Sequence, residues 1–248
     1  MRTNIVITGA SSGLGAQMAR EFAARGRNLA LCARRTDRLV ELRAELTSRH
    51  PNITVLIRRL DVTDHDDVFA AFDQFAGDLG SLDRVIVNAG MGNGQPIGTG
   101  RFDANLITAQ TNFVGALAQC EAALTVFRAQ DSGHLVVISS VGAFRGFPGH
   151  TTTYSATKAG IATLAEGIRA DVVDRPITVT TLYPGFISSE MNPDPSVSRL
   201  MVDTATGVRS MVKAIEREVA NACVPPWPWR PLAVVLRHAP LRIVSKLT

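Results

Sequence analysis

The feature that most constrains the fold of this chain is a rhythm. Short apolar runs ended by small residues alternate with stretches at helical spacing. "NIVITG" and "NLALCA" read as buried strands of the parallel type. Between them "LGAQMAREFAARG" sets Leu14, Met18 and Phe22 on one helical face and stops at Gly26. The pattern repeats: "TDRLVELRAELTSRH" is helical, "ITVLIRRLDV" a strand, "DHDDVFAAFDQFAGDLG" helical and "DRVIVNAG" a strand. A long helix is predicted over about residues 103–129, then the strand "HLVVISS", a helix over about 151–173, and a strand at "ITVTTLYPG". Such alternation implies βαβ units around a parallel sheet. The expected fold class is α/β: a single doubly wound domain, with a parallel sheet of about seven strands and helices on both faces. Residues 1–225 form its body, and 226–248 are a basic and apolar extension of the same domain.

Composition excludes several classes of function. A hydrophobic fraction of 46% and a charged fraction of 19% belong to a globular protein with a large core. No apolar run reaches the roughly 18 residues of a membrane span, and no secretory leader is visible, so a cytoplasmic location is expected. Cys32, Cys120 and Cys223 are far apart and lack a C-x-x-C spacing, which points to buried, reduced thiols and to no metal site. Residues 1–212 carry twenty basic and twenty acidic side chains. The whole net charge of +4 comes from six basic and two acidic residues after position 212. Balanced charge elsewhere argues against a nucleic-acid-binding face.

In doubly wound sheets ligands sit beyond the carboxyl ends of the strands. The suspicious residues of this chain stand there: "TGASSGLG", "CARR", "LDVTD", "NAG", "ISS" and "YPG" each end a strand. Gly9, Gly13 and Gly15 in the first of these follow a strand and open a helix. Glycines let the backbone approach a pyrophosphate, and the helix N-terminus offers free N–H groups to it. After the second strand comes Ala33, where a carboxylate would hold the ribose diol of a cofactor lacking a 2′-phosphate. Arg34 and Arg35 follow, and guanidinium groups suit that phosphate. This favours NADP(H) over NAD(H).

Lysine is scarce, with three residues against twenty-three arginines, yet Lys158 stands one helical turn after Tyr154, one of two tyrosines. A phenol has a pKa of about 10 and is a poor base at neutral pH, whereas a nearby ammonium stabilises the phenolate. Ser139 and Ser140 end the fifth strand, and a hydroxyl there can hold a substrate oxygen. A serine nucleophile is not indicated, since no G-x-S-x-G elbow is present. His150, before the helix of Tyr154, reads as a solvated loop residue.

On these motifs the chain resembles the short-chain dehydrogenase/reductase family over about residues 3–225. "TGASSGLG" looks like its cofactor loop, "NAG" like its fourth-strand motif, "ISS…YSATK" like its catalytic segment and "YPGFISSEM" like its Pro-Gly segment. The resemblance implies a Rossmann-type domain and an NADP(H)-dependent oxidoreductase acting on a carbonyl or secondary alcohol. Tyr154 is then the general acid/base, and Lys158 lowers its pKa and holds the nicotinamide ribose. Ser140 orients the substrate carbonyl, and Asn112 of "TNFVG" supports a proton-relay water. Cofactor contacts fall to Gly9, Ser11, Ser12, Gly13, Leu14 and Gly15, to Arg34 and Arg35, and to Asp61 and Val62 at the adenine. Asn88, Ala89 and Gly90 complete the set with Pro184, Gly185, Ile187 and Ser189 along the nicotinamide.

The expected substrate is a small, apolar or mixed carbonyl or alcohol. Its pocket is walled by residues 91–100, 141–150 and the segment after Pro184, including Met91, Phe144, Phe147, Phe186 and Met191. A 3-oxoacyl-thioester reductase is a rival within the class, and a non-catalytic NADP-sensing or scaffold protein is a rival outside it. Residues 192–204 are read as a lid. In the tail, Pro231 is expected to begin a short helix and Pro240 to interrupt it. Trp227, Trp229 and the basic residues there admit a homo-oligomer contact (dimer or tetramer) or a pocket cover, which is preferred, or attachment to an anionic membrane surface.

Overall fold

The computed structural model describes residues 2–190 and 200–245. Its strands are β1 (Asn4–Thr8), β2 (Asn28–Ala33), β3 (Val55–Arg59), β4 (Arg84–Val87), β5 (Gly133–Ile138), β6 (Ile177–Pro184) and β7 (Asn221–Val224). Its helices are α1 (Gly13–Ala23), α2 (Thr36–Arg49), α3 (His65–Leu79), α4 (Phe102–Ala109), α5 (Gly115–Ala129), α6 (Thr151–Asp171), α7 (Thr204–Glu216), α8 (Pro226–His238) and α9 (Leu241–Val244). The seven strands form one parallel sheet in the order β3-β2-β1-β4-β5-β6-β7. The order reverses between β1 and β4, and that crevice opens at the carboxyl ends of both.

Strands read as unbroken apolar runs because both faces are covered. Ile5 and Ile7 of β1 pack with Met18 and Phe22 of α1, Leu39 of α2 and Met211 of α7. Val6, between them, turns to the other face with Phe72 and Phe75 of α3, Phe127 of α5 and Ile161 of α6. Burying each of the large side chains contributes roughly 2 kcal/mol. The two layers hold the strand ends in fixed register, and the site is built on those ends. Among the described residues no helix is long and apolar enough to cross a membrane.

Where the structure departs from expectation, tertiary packing is the reason. The long helix predicted over 103–129 is interrupted by a π turn at Gln110–Val114. Gly115 follows it because α5 touches the β3–α3 connection: a Cβ there would lie 2.7 Å from the carbonyl oxygen of Val62. The helix expected to begin at Pro231 begins earlier. Pro231 lies inside α8, one turn after Trp227 leaves helical conformation, where it removes at most the first intrahelical bond. Pro240 does stand between α8 and α9. Cys32 and Cys120 are buried, but Cys223 on the edge strand β7 is only half-buried. Most of the segment read as a lid, together with Met191, lies outside the described residues.

At the amino ends of the strands, far from the crevice, sits a buried polar cluster. Arg84 donates to His134 Nδ1 at 2.8 Å and to Glu216 at 2.6 Å. Glu218 accepts from Arg2 at 2.9 Å and from Thr178 at 2.6 Å. A donor on Nδ1 makes His134 neutral with its proton on Nε2, which faces Thr180 Oγ1 at 2.8 Å. Burial and the Arg84 charge hold its imidazole down at about 3.

Candidate active site

The glycine turn between β1 and α1 is shaped by contact. Gly9 has φ +63°, and a Cβ on it would lie 2.9 Å from Ala89 Cα. A Cβ on Gly15 would lie 2.4 Å from the Gly9 carbonyl oxygen, so α1 starts hard against the turn. Thr8 clamps the neighbouring loop: its hydroxyl accepts from the N–H groups of Asn88 and Ala89, each at 3.0 Å. Asn88 in turn donates to Thr8 O at 2.9 Å. Asn88 and Ala89 are thus struts that keep the crevice open between β1 and β4. Leu14 packs against the core beneath the turn. Ser12 occupies the cap of α1 without capping it by its side chain. An uncapped helix start framed by glycines suits the pyrophosphate of a dinucleotide.

The two arginines after β2 are separated. Arg35 donates to Ser12 Oγ at 2.6 Å, Ser11 Oγ at 3.3 Å and Glu190 Oε2 at 3.0 Å. Arg38, one turn further on, also pairs with Glu190. The Arg34 charge acts on Asp61 instead. For Asp61, burial pulls the carboxyl up but is outweighed by hydrogen bonds from Thr63 and by the charges of Arg34 and Arg59, so it ends below the ordinary range. Val62, buried beside it, touches α5. Cations at the start of α2 and a carboxylate-lined edge at β3 match the polar edge of a nucleotide.

Ser140, Tyr154 and Lys158 come together at the ends of β5 and α6. Ser140 Oγ accepts from Gly142 N at 3.1 Å, and its hydroxyl lies near enough to the Tyr154 phenol to favour the phenolate. A Cβ on Gly142 would lie 3.4 Å from Ser140 Oγ and 3.7 Å from the Tyr154 ring, so Gly142 leaves the space beside both hydroxyls clear. Burial raises the Tyr154 phenol above its usual value, and the Ser140 hydroxyl only partly reverses this. Lys158 is buried and its ammonium donates to Ile138 O at 2.8 Å, 5.8 Å from the centre of the Tyr154 ring. Burial brings it down to about 8. Ser139, the other serine ending β5, is turned away and donates to the Lys158 carbonyl at 2.7 Å.

Asn112 lies in the π turn, buried, with both side-chain polar atoms on the Met91 backbone at 2.8 Å. It borders Gly90, where a Cβ would lie 3.3 Å from Asn112 Oδ1 and 3.4 Å from Lys158 Nζ. The segment after β6 closes the far side. Gly185 donates to Val224 O at 3.0 Å, and a Cβ on it would meet the Trp229 indole at 2.0 Å. Ile187 is buried and pairs with Val202. Ser189 faces Gly13, their Cβ positions 3.5 Å apart. Pro184 is the last residue of β6.

Phe144 and Phe186, expected in the pocket wall, pack against aromatic rings from other segments. Phe144 packs on Tyr183 at 4.6 Å between ring centres, and Phe186 on Trp229 at 5.3 Å. The Arg237 guanidinium lies 4.7 Å over the Phe144 ring. His150 is exposed. Sequence reasoning missed Thr8, Arg38 and Glu190. Arg38 was legible as a cation one turn after Arg34 and Arg35. Nothing local marks Glu190, since its partners are more than 150 residues away.

A family model described as short chain dehydrogenase matches residues 3–197. An uncharacterized oxidoreductase of Mycobacterium tuberculosis is 53% identical over 245 residues, 99% of this chain and 97% of that protein. The crystal structure of an NADPH-dependent 3-quinuclidinone reductase from Rhodotorula rubra is 26% identical, covers 86% of this chain and 84% of its own, and has a TM-score of 0.78. A short chain dehydrogenase/reductase from Burkholderia phymatum in complex with NAD has a TM-score of 0.84 over 100% of this chain and 96% of its own. Its identity is 20%, a likeness of fold alone.

Proposed function

The chain belongs to the short-chain dehydrogenase family of oxidoreductases, and from that premise we propose that it is an NADP(H)-dependent enzyme acting on an apolar carbonyl or secondary alcohol. The observation that carries the reading is the Ser140 hydroxyl beside the Tyr154 phenol, with the buried Lys158 ammonium 5.8 Å from the centre of the phenol ring. When bound, the nicotinamide supplies or accepts the hydride.

The chain's own groups handle position and proton. Ser140 and Tyr154 bond the substrate oxygen, and a phenol raised by burial keeps its proton at neutral pH, which equips Tyr154 to protonate an oxygen that gains charge. Lys158 places positive charge beneath the phenol and holds the nicotinamide ribose. Asn112, locked on Met91, keeps the π turn open beside Lys158 for a relay water. Gly9, Ser11, Ser12, Gly13 and Gly15 hold the pyrophosphate, Arg35 and Arg38 face the 2′-phosphate, and Arg34 adds positive charge nearby, on the Asp61 side. Asp61 and Val62 border the adenine, and Pro184 to Ser189 run along the nicotinamide. Phe144, Phe186 and Trp229 exclude water from the reacting carbon.

The test is a panel of ketones and aldehydes with NADPH and with NADH, for wild type and Tyr154→Phe. The expected result is reduction with NADPH preferred and a loss of about 10³-fold in the variant. Turnover that survives Tyr154→Phe overturns the acid/base assignment, and a preference for NADH overturns the cofactor assignment.

A further inference from the structure

The strap that leaves β6 reaches the opposite bank of the nucleotide crevice. After Ser189 meets Gly13, Glu190 places its carboxylate between the starts of α1 and α2. Oε2 accepts from Arg35 at 3.0 Å, Oε1 from Arg38, and the Arg35 fork also reaches Ser12 Oγ at 2.6 Å and Ser11 Oγ at 3.3 Å. One anion, two guanidinium groups and two hydroxyls therefore close a ring across positions 155 residues apart. Hydrogen bonds from Arg35, Ser12 and Arg38 hold the Glu190 carboxyl down at about 2, so it is ionised at any working pH.

Those donors are the ones a 2′-phosphate needs. A planar fork binds carboxylate and phosphate by the same two parallel bonds, so the anions compete for it. A phosphate dianion seated on Arg35 and Arg38 cannot share them with a carboxylate at bonding distance, because the like charges repel. A cofactor without that phosphate makes no claim on either arginine.

We propose that Glu190 is a cofactor-specificity residue, an internal anion that Arg35 and Arg38 must release before they can hold the 2′-phosphate of NADP(H). This rests on the NADP(H) reading above. Glu190 subtracts affinity selectively from phosphorylated cofactor and leaves the non-phosphorylated one untouched, since a group shifts an equilibrium only by its differential interaction.

The test separates binding from turnover. Adenosine 2′,5′-bisphosphate and adenosine 5′-monophosphate are titrated calorimetrically into the full chain, wild type and Glu190→Gln, at neutral pH and low salt. The expected result is a bisphosphate affinity about tenfold higher in the variant, within the range of coupled sites, with monophosphate affinity unchanged. If wild type prefers the bisphosphate but Glu190→Gln leaves it unchanged or weaker, Glu190 does not compete and this inference falls while the NADP(H) reading stands. If neither wild type nor Glu190→Gln prefers the bisphosphate, both fall. Glu190 is half-exposed, and an unchanged thermal midpoint confirms that the variant is folded.

Discussion

Lys158 offers a perturbation in which stability and activity move in opposite directions. Burial brings its ammonium from 10.5 down to about 8. At about 1.4 kcal/mol per pH unit, keeping that charge inside costs roughly 3 kcal/mol relative to water. Lys158→Met keeps the length of the side chain and removes the charge. It also leaves the Ile138 carbonyl without a donor that stands at 2.8 Å, a loss of roughly 1 kcal/mol. The balance predicts that the variant is about 2 kcal/mol more stable at pH 7, or about 4–8 °C in Tm for a domain of this size. The sign carries a pH signature. Above 10.5 both folded and unfolded lysine are neutral, only the lost bond separates the two proteins, and the variant is the less stable by about 1 kcal/mol. As pH falls from 10.5 towards 8, the unfolded chain takes the proton first, so wild type loses ground and the order reverses. Below 8 the gap is constant. Thermal unfolding at pH 7 and pH 10, with NADPH-driven ketone reduction as the second readout, measures both halves. Reduction is expected to fall by about 10²-fold or more. A variant less stable than wild type at pH 7, or a gap equal at both pH values, refutes the argument that the site holds a costly charge.

Other positions make independent demands. Gly15→Ala drives a methyl to within 2.4 Å of the Gly9 carbonyl, so nucleotide binding should be lost by calorimetry; retained affinity shows that the turn can yield. His134 is held neutral near 3, so the unfolded chain binds a proton below about 6.5 that the folded one does not. Stability should therefore fall towards acid by up to about 1.4 kcal/mol per pH unit, and His134→Gln should flatten that slope between pH 6.5 and 5 in urea unfolding. Parallel slopes for the two proteins contradict it. Trp229→Ala opens a cavity against Gly185 and Phe186 and should cost about 3 kcal/mol, with KM for bulky ketones altered more than kcat. Unchanged stability and KM together remove Trp229 from the pocket wall.

What the sequence made legible is what local chemistry encodes. The strand–helix rhythm announced six of the seven strands, because a strand buried on both faces must be apolar along its length. Gly9, Gly13 and Gly15 announced the tight turn between β1 and α1, and the Tyr154–Lys158 spacing announced two side chains on one face of α6, since such geometry is fixed within a turn or two of chain. The rest depends on partners far away in sequence. "NACV" is too short and too close to prolines to stand out as β7. Local chemistry does not separate Ser139 from Ser140, which the family resemblance alone singled out; the pleat sends Ser139 to the Lys158 carbonyl and leaves Ser140 beside Tyr154. Arg34 and Arg35 look equivalent until α2 starts, when the Arg35 side chain pairs with Glu190 and the Arg34 charge is felt at Asp61. The π turn that seats Asn112 answers to Gly115 and Val62, which no helical periodicity reports.

The indole on Gly185 has a consequence for how this scaffold can diversify. Helix α8, which brings the Trp229 indole onto Gly185, lies beyond residue 197, where the match to the shared family pattern ends. In the function proposed above, proton transfer and nucleotide grip fall to earlier segments. On that reading chemistry and taste for substrate are written in separable lengths of chain. Grafting a different terminal helix is a direct way to recut the chamber while the machinery beneath it keeps its shape.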